Sequence, residues 1–320
     1  MSAYAANFED IQAAHERIGD RVHRTPVLTS RTLDAMAGRS LFFKCENMQR
    51  VGAFKFRGAT NAVLKLDDET ASHGVCTHSS GNHAQALALA AKQRGIPAWI
   101  VMPTSAPDVK RKAVEGYGAT VVPCEPTLEA RETTCAKVIE DTGATLVHPY
   151  DNPDVIAGQG TAAKELVEEV GPLDALIVPV GGGGLMSGSC LSMSALCPEA
   201  KLVGAEPAGA DDAARSLAAG ALIPQLGPNT ICDGLLTSLG ELTWPILRDH
   251  LAGIITVDDD QVVAAMRLIW ERMKIIIEPS CATVLAVALS EAFNEIPGDR
   301  VGMILTGGNV DLSRLPFAGS

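Results

Sequence analysis

The stretch Ser79-Ser80-Gly81-Asn82-His83 stands between a short apolar run, Val75-Cys76-Thr77, and a strongly helical segment, residues 84–94. A strand followed by a helix is the building unit of parallel α/β sheets. Small hydrogen-bonding side chains at this junction suit the capture of a carboxylate or phosphate, because a helix N-terminus offers free N–H groups and a partial positive charge. Serine and asparagine are also ordinary helix N-caps, so the stretch alone leaves both interpretations open.

Strand-like and helical segments alternate through the rest of the chain. This alternation predicts an α/β protein whose mostly parallel sheets are covered by helices on both faces. Because no flexible linker interrupts the pattern, two packed lobes are expected. The sequence predicts further strands at residues 98–102, 119–122, 145–147, 175–180, 202–205, 254–257 and 301–305, and helices near residues 108–117, 128–141 and 186–196.

Composition and charge argue against several classes of protein. The chain has 320 residues and a formal net charge of −12, whereas nucleic-acid-binding proteins usually carry a basic patch. No apolar run approaches the ~18 residues of a membrane span, and residues 1–20 show no secretory signal. The eight cysteines include no C-x-x-C pair, so we expect reduced, mostly buried thiols in a cytoplasmic protein that binds neither nucleic acid nor membrane.

A second glycine-rich element, Gly181-Gly182-Gly183-Gly184-Leu185, follows a predicted strand and precedes a predicted helix. Bare backbone N–H groups at a helix start can cradle a phosphate, and a merely flexible turn of four glycines would cost chain entropy for no gain. A dinucleotide-binding oxidoreductase is an alternative, with Glu206 after the next strand binding a ribose. The G-x-G-x-x-G spacing is not met, however, because Met186 or Ser187 stands where the third glycine belongs.

A lysine between two aromatic residues lies in Gly52-Ala53-Phe54-Lys55-Phe56-Arg57-Gly58-Ala59. Most lysines are exposed on the surface, and Lys55 is open to that interpretation. Alternatively, a desolvated amine has a lowered pKa and can form a Schiff base with an aldehyde cofactor. A non-catalytic ligand-binding protein of two α/β lobes is a further alternative, and a lysine framed by aromatic residues counts against it.

Two further elements leave their function open. In Thr306-Gly307-Gly308-Asn309-Val310-Asp311, which follows a predicted strand, the threonine hydroxyl either faces a ligand or caps a turn. Glu206-Pro207-Ala208-Gly209-Ala210-Asp211-Asp212 carries three carboxylates within seven residues. This density of oxygen ligands suits Mg²⁺ or Ca²⁺, and a solvated acidic turn is the alternative.

Taken together, these motifs resemble those of the fold-type II pyridoxal-phosphate (PLP) enzymes, in the serine/threonine dehydratase and serine racemase branch. The motifs occur in the family's order and cover nearly the whole chain. The resemblance implies a two-lobed fold like that of the tryptophan synthase β subunit, with a large PLP-binding domain (residues 1–73 plus 148–320) and a small domain (residues 74–147). The matching segments are residues 52–59, 79–86, 156–161, 178–184, 277–279 and 306–311.

The resemblance implies a role for each motif around PLP. Lys55 would hold the cofactor covalently, Phe54 would lie beside its ring, and Asn82 would bind its 3′ oxygen. Thr306 would face the pyridine nitrogen, and its neutral hydroxyl would favour elimination or proton exchange over transamination. The phosphate would be held by the backbone N–H groups of Gly181, Gly182, Gly183, Gly184 and Leu185.

The resemblance also implies how the substrate is held and deprotonated. Lys55 would act first as nucleophile and then as general base. Ser80 would lie on the opposite face of the substrate Cα, where relatives use a serine to return a proton. The substrate carboxylate would be held by Ser79, Ser80, Asn82 and His83.

By the same resemblance, the acidic segment looks like a divalent-cation site for Mg²⁺ or Ca²⁺. Its ligands would be Glu206, the backbone carbonyl of Ala210, and Asp212. Tyr150, which follows His148-Pro149, occupies a position that differs between branches of the family and therefore bears on the substrate pocket.

The expected activity is that of a PLP-dependent dehydratase (ammonia-lyase), which converts a β-hydroxy α-amino acid to a 2-oxo acid and ammonia. Candidate substrates are 3-hydroxyaspartate, L-serine and L-threonine, and the stretch Asp233-Gly234-Leu235-Leu236-Thr237-Ser238 favours the first two. A second substrate carboxylate needs a cation or several donors; Arg131 and Thr237 are candidates, although Arg131 is equally a solvated helix residue. A serine or aspartate-type racemase with side dehydratase activity is the alternative, and a homodimer is expected.

Overall fold

Ten strands form two separate sheets in the computed structural model, which describes residues 4–106 and 108–317. The strands predicted from the sequence are present, with ends that differ by one or two residues. Two strands near the N-terminus, β1 and β2, are not predicted; β1 has only two residues and lies at a sheet edge. The strands are β1 (Val27–Leu28), β2 (Ser40–Lys44), β3 (Val75–His78), β4 (Ala98–Pro103), β5 (Thr120–Cys124), β6 (Thr145–Leu146), β7 (Ala175–Pro179), β8 (Lys201–Pro207), β9 (Gly253–Val257) and β10 (Arg300–Ile304).

Helices connect most of the strands and cover the sheets. No helix in the described part of the chain is both long and apolar enough to cross a membrane. The helices are α1 (Phe8–Ile18), α2 (Arg31–Ala37), α3 (Lys55–Lys65), α4 (Asp68–Ser72), α5 (Asn82–Arg94), α6 (Asp108–Gly116), α7 (Leu128–Thr142), α8 (Pro153–Val170), α9 (Gly184–Leu196), α10 (Asp212–Ala219), α11 (Trp244–His250), α12 (Asp259–Met273) and α13 (Pro279–Ala288).

The strand order confirms the expected α/β fold with mostly parallel sheets. One sheet has the order β1-β2-β10-β7-β8-β9 and the other the order β5-β4-β3-β6. Strands β1 and β2 pair in antiparallel fashion, and the other neighbours pair in parallel. In parallel sheets of this kind, ligands bind beyond the carboxyl ends of the strands, which is where the loops before α5 and α9 lie.

Helix α3 lies between the two sheets. Its residues Phe56, Ala59 and Val63 belong to the apolar cluster of the four-stranded sheet. On its other side Gly58 is so close to α8 that a Cβ on Gly158 would lie 2.6 Å from the Gly58 Cα atom. The helix that begins at Lys55 is therefore fixed by both halves of the molecule, while the domain boundaries at residues 74 and 147 stay a prediction.

A buried ionic network anchors α3 to the six-stranded sheet. Arg57 Nε lies 2.7 Å from the Glu46 carboxylate, and Arg57 Nη2 lies 2.7 Å from the Glu165 carboxylate. Lys44 Nζ on β2 lies 2.7 Å from the same Glu165 carboxylate. Because two cations balance two carboxylates in this buried cluster, no charge is left unpaired, and removal of one member is expected to be strongly destabilising.

Candidate active site

The backbone before α3 fixes where Lys55 emerges. Ala53 forms an isolated antiparallel bridge with Gly307, and the Phe54 N–H donates to the Thr306 carbonyl at 3.0 Å. These contacts join the start of α3 to the segment that follows β10. The Thr306 side chain is buried. Because of these backbone contacts, Lys55 and Thr306 lie near each other at the carboxyl end of β10, although they are distant in sequence.

The Lys55 amine is surrounded by aromatic rings and a carbonyl oxygen. Its Nζ atom lies 5.1 Å from the Phe54 ring centroid and 6.0 Å from the Tyr150 ring centroid. It donates a hydrogen bond to the Pro149 carbonyl at 2.7 Å. Burial lowers its pKa from 10.5 to about 8, because a poorly solvated amine resists protonation. Such an amine is a candidate nucleophile and base.

The glycine loop, residues 181–184, connects β7 directly to α9. Gly183 has a φ of +86° and precedes the first residue of the helix, which has no side-chain cap. A Cβ on Gly182 would lie 2.3 Å from carbon atoms of the Tyr150 ring. The first-turn N–H groups of a helix have no intrahelical acceptor, so this loop presents unoccupied donors at a position that only glycine fits.

The loop before α5 shows whether the serine-rich stretch caps the helix. Gly81 is the residue before the helix, and no side chain caps the helix N-terminus. The Ser79 hydroxyl instead accepts a hydrogen bond from the Gly81 N–H at 3.3 Å. The helix N-terminus is therefore open to an anion, as expected for a carboxylate-binding loop.

Asn82 and Glu278 form a polar network that the sequence motifs do not specify. Asn82 Nδ2 donates to both Glu278 carboxylate oxygens, at 2.9 and 3.2 Å. The Asn309 N–H donates to Glu278 at 3.1 Å, and Asn309 Nδ2 donates to Asn82 Oδ1 at 2.8 Å. Burial raises the pKa of Glu278 to about 7, and Asp233 adds to this effect. The network fixes the orientation of the Asn82 amide.

The His83 ring faces the interior of the four-stranded sheet. Its Nε2 atom lies 2.9 Å from the Val147 carbonyl oxygen, and its Nδ1 atom is buried without a hydrogen-bond partner among the described residues. Burial lowers the pKa of His83 to about 3. The ring is thus neutral, and only the backbone of His83 belongs to the loop.

Three rings stack beside Lys55. His78 and His148 have centroids 5.8 Å apart, and His148 and Tyr150 have centroids 4.6 Å apart, both edge to face. His148 Nδ1 accepts a hydrogen bond from the Asp151 N–H at 2.9 Å, and burial lowers the pKa of this histidine to about 4. His148 and Tyr150 line a cavity of about 330 Å³ that also includes Ser238. Lys55 itself does not line this cavity, which lies on the side of the Tyr150 ring that faces Ser238 and Leu239.

The two residues predicted to select the substrate interact with different rings, Arg131 with His78 and Thr237 with Tyr150. Arg131 on α7 has a buried Nε atom without a hydrogen-bond partner among the described residues, and its charge acts on His78. Thr237 is exposed. Its side chain forms a hydrogen bond with Tyr150 that lowers the Tyr150 pKa, but burial has the larger effect and raises this pKa to about 12.

The residues predicted to bind a cation lie at the end of β8 and the start of α10. The Glu206 carboxylate accepts hydrogen bonds from the Ala213 and Ala214 N–H groups at 3.0 and 2.9 Å. Asp212 accepts one from the Leu239 N–H at 3.1 Å, and its other oxygen is buried without a partner in the described structure. Burial raises the pKa of Glu206 to about 8 and that of Asp212 to about 6. Within the described residues, no group of three or more His, Cys, Asp or Glu side chains is arranged to hold a metal ion.

Comparison with known proteins identifies this constellation. The family model for the pyridoxal-phosphate dependent enzymes matches residues 18–307. The chain belongs to this family. It is therefore a fold-type II PLP-dependent enzyme, and neither the dinucleotide-binding oxidoreductase nor the non-catalytic binding protein is retained as an interpretation.

The relatives of this PLP-dependent enzyme are named for different substrates. The chain is 53% identical over 316 residues to the beta-hydroxyaspartate dehydratase of Paracoccus denitrificans (strain Pd 1222), covering 98% of this chain and 99% of the relative. The crystal structure of serine racemase from Dictyostelium discoideum matches with a TM-score of 0.93 and 52% identity, over 96% of this chain and 100% of that one. Threonine deaminase isoform 2 from Solanum lycopersicum matches with a TM-score of 0.91 and 33% identity, over 96% and 85% of the two chains.

The residues present fit PLP. The Lys55 amine has a lowered pKa, as a Schiff-base lysine requires. The loop before α9 has the uncapped helix start that a phosphate needs. Three features escaped the sequence analysis: the role of Glu278, the Tyr150 ring against the glycine loop, and the His148 stack. Two local signals pointed towards them: the Glu-Pro pair at the start of α13, and Tyr150 after His148-Pro149.

Proposed function

We propose that this enzyme is a dehydratase of β-hydroxy α-amino acids, which removes water from its substrate and releases a 2-oxo acid and ammonia. The observation that carries the proposal is the Lys55 amine, whose pKa is lowered to about 8 by burial. Near neutral pH a useful fraction of such an amine is deprotonated, so it can serve as nucleophile and then as general base. Relatives named as a hydroxyaspartate dehydratase and a threonine deaminase support this reaction class.

Each part of the cofactor has a proposed partner in the chain. Bound PLP supplies an electron sink for the negative charge that develops at the substrate Cα. We assign Lys55 to its aldehyde carbon, Phe54 to the face of its ring and Asn82 to its 3′ oxygen. Thr306 is assigned to the pyridine nitrogen. The phosphate is assigned to the backbone N–H groups of Gly181, Gly182, Gly183, Gly184 and Leu185.

The substrate carboxylate is assigned to the uncapped N-terminus of α5. The helix dipole and the free N–H groups of its first turn favour an anion there. The hydroxyl groups of Ser79 and Ser80 and the amide of Asn82 add donors, and His83 contributes through its backbone because its ring contacts Val147.

The same arrangement supports the proton transfers of an elimination. The free Lys55 amine would take the proton from Cα. The protonated amine would then supply a proton to the β-hydroxyl group, which leaves as water. The enamine that results hydrolyses to the 2-oxo acid and ammonia, so the net reaction consumes no oxidant.

Arg131 supports 3-hydroxyaspartate as a substrate. Its buried Nε atom lacks a partner within the described chain, and an unsatisfied buried donor is costly unless a ligand completes it. A second substrate carboxylate would provide this acceptor. Serine, which has no second carboxylate, would leave the guanidinium unused and is the competing substrate.

The test is 2-oxo acid release measured over L- and D-serine, L-threonine and the four stereoisomers of 3-hydroxyaspartate. Lys55→Ala should abolish turnover and prevent borohydride from fixing PLP to the protein. Lys65→Ala, at the other end of α3, is the matched control and should keep both. Arg131→Gln should raise the KM for 3-hydroxyaspartate more than the KM for serine. Unchanged turnover in Lys55→Ala, or no 2-oxo acid from any substrate, would refute the proposal.

Racemization of serine or aspartate is the second candidate function. It is supported by the 52% identity to a serine racemase of known structure, and Ser80 is its proposed proton donor on the Cα face opposite Lys55. Chiral analysis of the amino acid that remains after partial turnover separates the two activities. Ser80→Ala should remove inversion at Cα while 2-oxo acid release persists; loss of both in parallel would count against this role.

A further inference from the structure

A pair of thiols in the four-stranded sheet has no part in the proposed reaction. The Sγ atoms of Cys76 on β3 and Cys135 on α7 lie 3.2 Å apart, although the two residues are 59 positions apart in sequence. All eight cysteines are free and buried. The fold therefore brings two reduced thiols to a separation from which a small movement would allow a bond.

Helix α7 is held to the sheet by few buried side chains. Cys135 is the one residue of this helix that is fully buried. The buried apolar cluster around it is small and consists of Cys76, Val101, Cys124, Cys135 and Ala144, with the partly buried Trp99, Val122, Val138 and Ile139 packed against it. A helix with so little buried apolar surface opens locally at low free-energy cost, which gives small reagents access to the thiols.

The two thiols also differ in accessibility. Cys135 lies on α7, the helix that opens, whereas Cys76 lies on β3, between its neighbours β4 and β6. A reagent that enters as α7 opens therefore reaches Cys135 first, so Cys135 is the nucleophile of the pair and Cys76 is the resolving thiol.

We propose that Cys76 and Cys135 are an oxidation site, where a small hydroperoxide converts the two thiols to a reversible disulfide. The Cys135 sulfur attacks the peroxide and becomes a sulfenic acid, while the peroxide is reduced to an alcohol or water. The Cys76 thiol then attacks this sulfur, the S–S bond forms and water leaves. Two thiols lose two electrons and two protons in total, and the hydroperoxide accepts them.

The disulfide would fasten α7 to β3. Cys135 lies one helical turn after Arg131 on the same face, and Cys76 lies two residues before His78 on the same face of the strand. Arg131 and His78 are themselves close enough to interact electrostatically. Oxidation is therefore expected to hold α7 in the position seen here and to slow its local opening.

The test compares the reduced and peroxide-treated protein. Wild type should lose two titratable thiols, measured after unfolding, and dithiothreitol should restore them. Trypsin should yield a cross-link between residues 66–92 and residues 132–137, each of which contains one cysteine. Amide hydrogen exchange in α7 should slow in the oxidised protein.

In the variants Cys135→Ala and Cys76→Val, peroxide should not remove a pair of titratable thiols. It should also leave amide hydrogen exchange in α7 unchanged. Cys281→Ala, which removes a buried thiol from the core of the six-stranded sheet, is the matched control and should behave like wild type. If Cys76→Val does not fold, Cys135→Ala decides, because α7 is mostly exposed. A cross-link between other cysteines, thiol loss that dithiothreitol does not reverse, or an unchanged exchange of α7 would overturn the proposal.

Discussion

Lys55 Nζ donates a 2.7 Å hydrogen bond to the carbonyl oxygen of Pro149. Lys55 begins α3, and Pro149 follows β6, so the contact lies where the two sheets meet. The acceptor is a neutral carbonyl, which orients the amine without the strong preference for its protonated form that a carboxylate would impose. Burial can therefore lower the pKa of the amine to about 8.

This lowered pKa should appear in the stability of the cofactor-free protein. Well below pH 8 the amine is mostly protonated in both states, and between pH 8 and 10.5 the unfolded chain binds a proton that the folded amine has lost. The contribution of Lys55 to the free energy of unfolding therefore rises with pH across this window, by up to ~1.4 kcal/mol per pH unit.

Urea unfolding of cofactor-free wild type and Lys55→Met, below and above pH 8, measures this contribution. The difference between the two proteins isolates the amine, because the other titrating groups are common to both. The free energy of unfolding of Lys55→Met should exceed that of wild type, and the excess should be larger at the lower pH. Parallel pH profiles would show that the amine is not desolvated.

A side chain on Gly182 should disturb the glycine loop. A Cβ at this position would lie 2.3 Å from the Tyr150 ring, so Gly182→Ala should lower the free energy of unfolding by about 1–3 kcal/mol and weaken PLP binding. Urea unfolding and a PLP absorbance titration measure the two effects. Gly253→Ala, with no atom within 4 Å of the added Cβ, should change neither.

Replacement of Tyr150 tests the cause of the Gly182→Ala effect. If the ring is responsible, adding Tyr150→Ala should recover part of the stability lost in Gly182→Ala. Failure of this rescue would mean that the loss arises from the loop backbone rather than from the ring.

Glu278→Gln should alter both the pH dependence of stability and cofactor binding. Burial raises the pKa of Glu278 from 4.5 to about 7, so in this range the folded protein keeps a proton that the unfolded chain releases. Its stabilising contribution is complete below pH 4.5 and is lost as pH rises through 7. The glutamine should remove this slope.

The same variant leaves one acceptor oxygen where the carboxylate offers two. The amide nitrogen that replaces the other oxygen cannot accept the hydrogen bond donated there, which costs ~1–3 kcal/mol and loosens the Asn82 amide. The PLP dissociation constant should rise in Glu278→Gln. Glu291→Gln, an exposed carboxylate, is the control, and equal behaviour of the two variants would contradict the network.

Chelation should reveal whether a cation binds at the start of α10. Asp212 carries a buried oxygen without a partner in the described residues, so a bound Mg²⁺ or Ca²⁺ would satisfy it and raise the melting temperature. Asp212→Asn should abolish this rise in melting temperature. Asp211 pairs with Arg215 on the surface, so Asp211→Asn should retain the rise. If neither chelator nor cation shifts the melting temperature, the carboxylates belong to a structural turn.

The local sequence was sufficient for eight of the ten strands, for the loops that follow them and for the family. Residues 75–94 show why: apolar spacing, small loop residues and a helical run follow one another, so short-range preferences and tertiary packing agree. The tertiary structure decided what those loops face. Glu278 meets Asn82 across 196 positions, and Tyr150 covers Gly182 only because α8 and α9 pack side by side. Cys76 reaches Cys135 only through the packing of α7 on β3. Such contacts depend on where distant elements dock, and hydrophobic periodicity carries no information about the partner that a polar or aromatic side chain will meet.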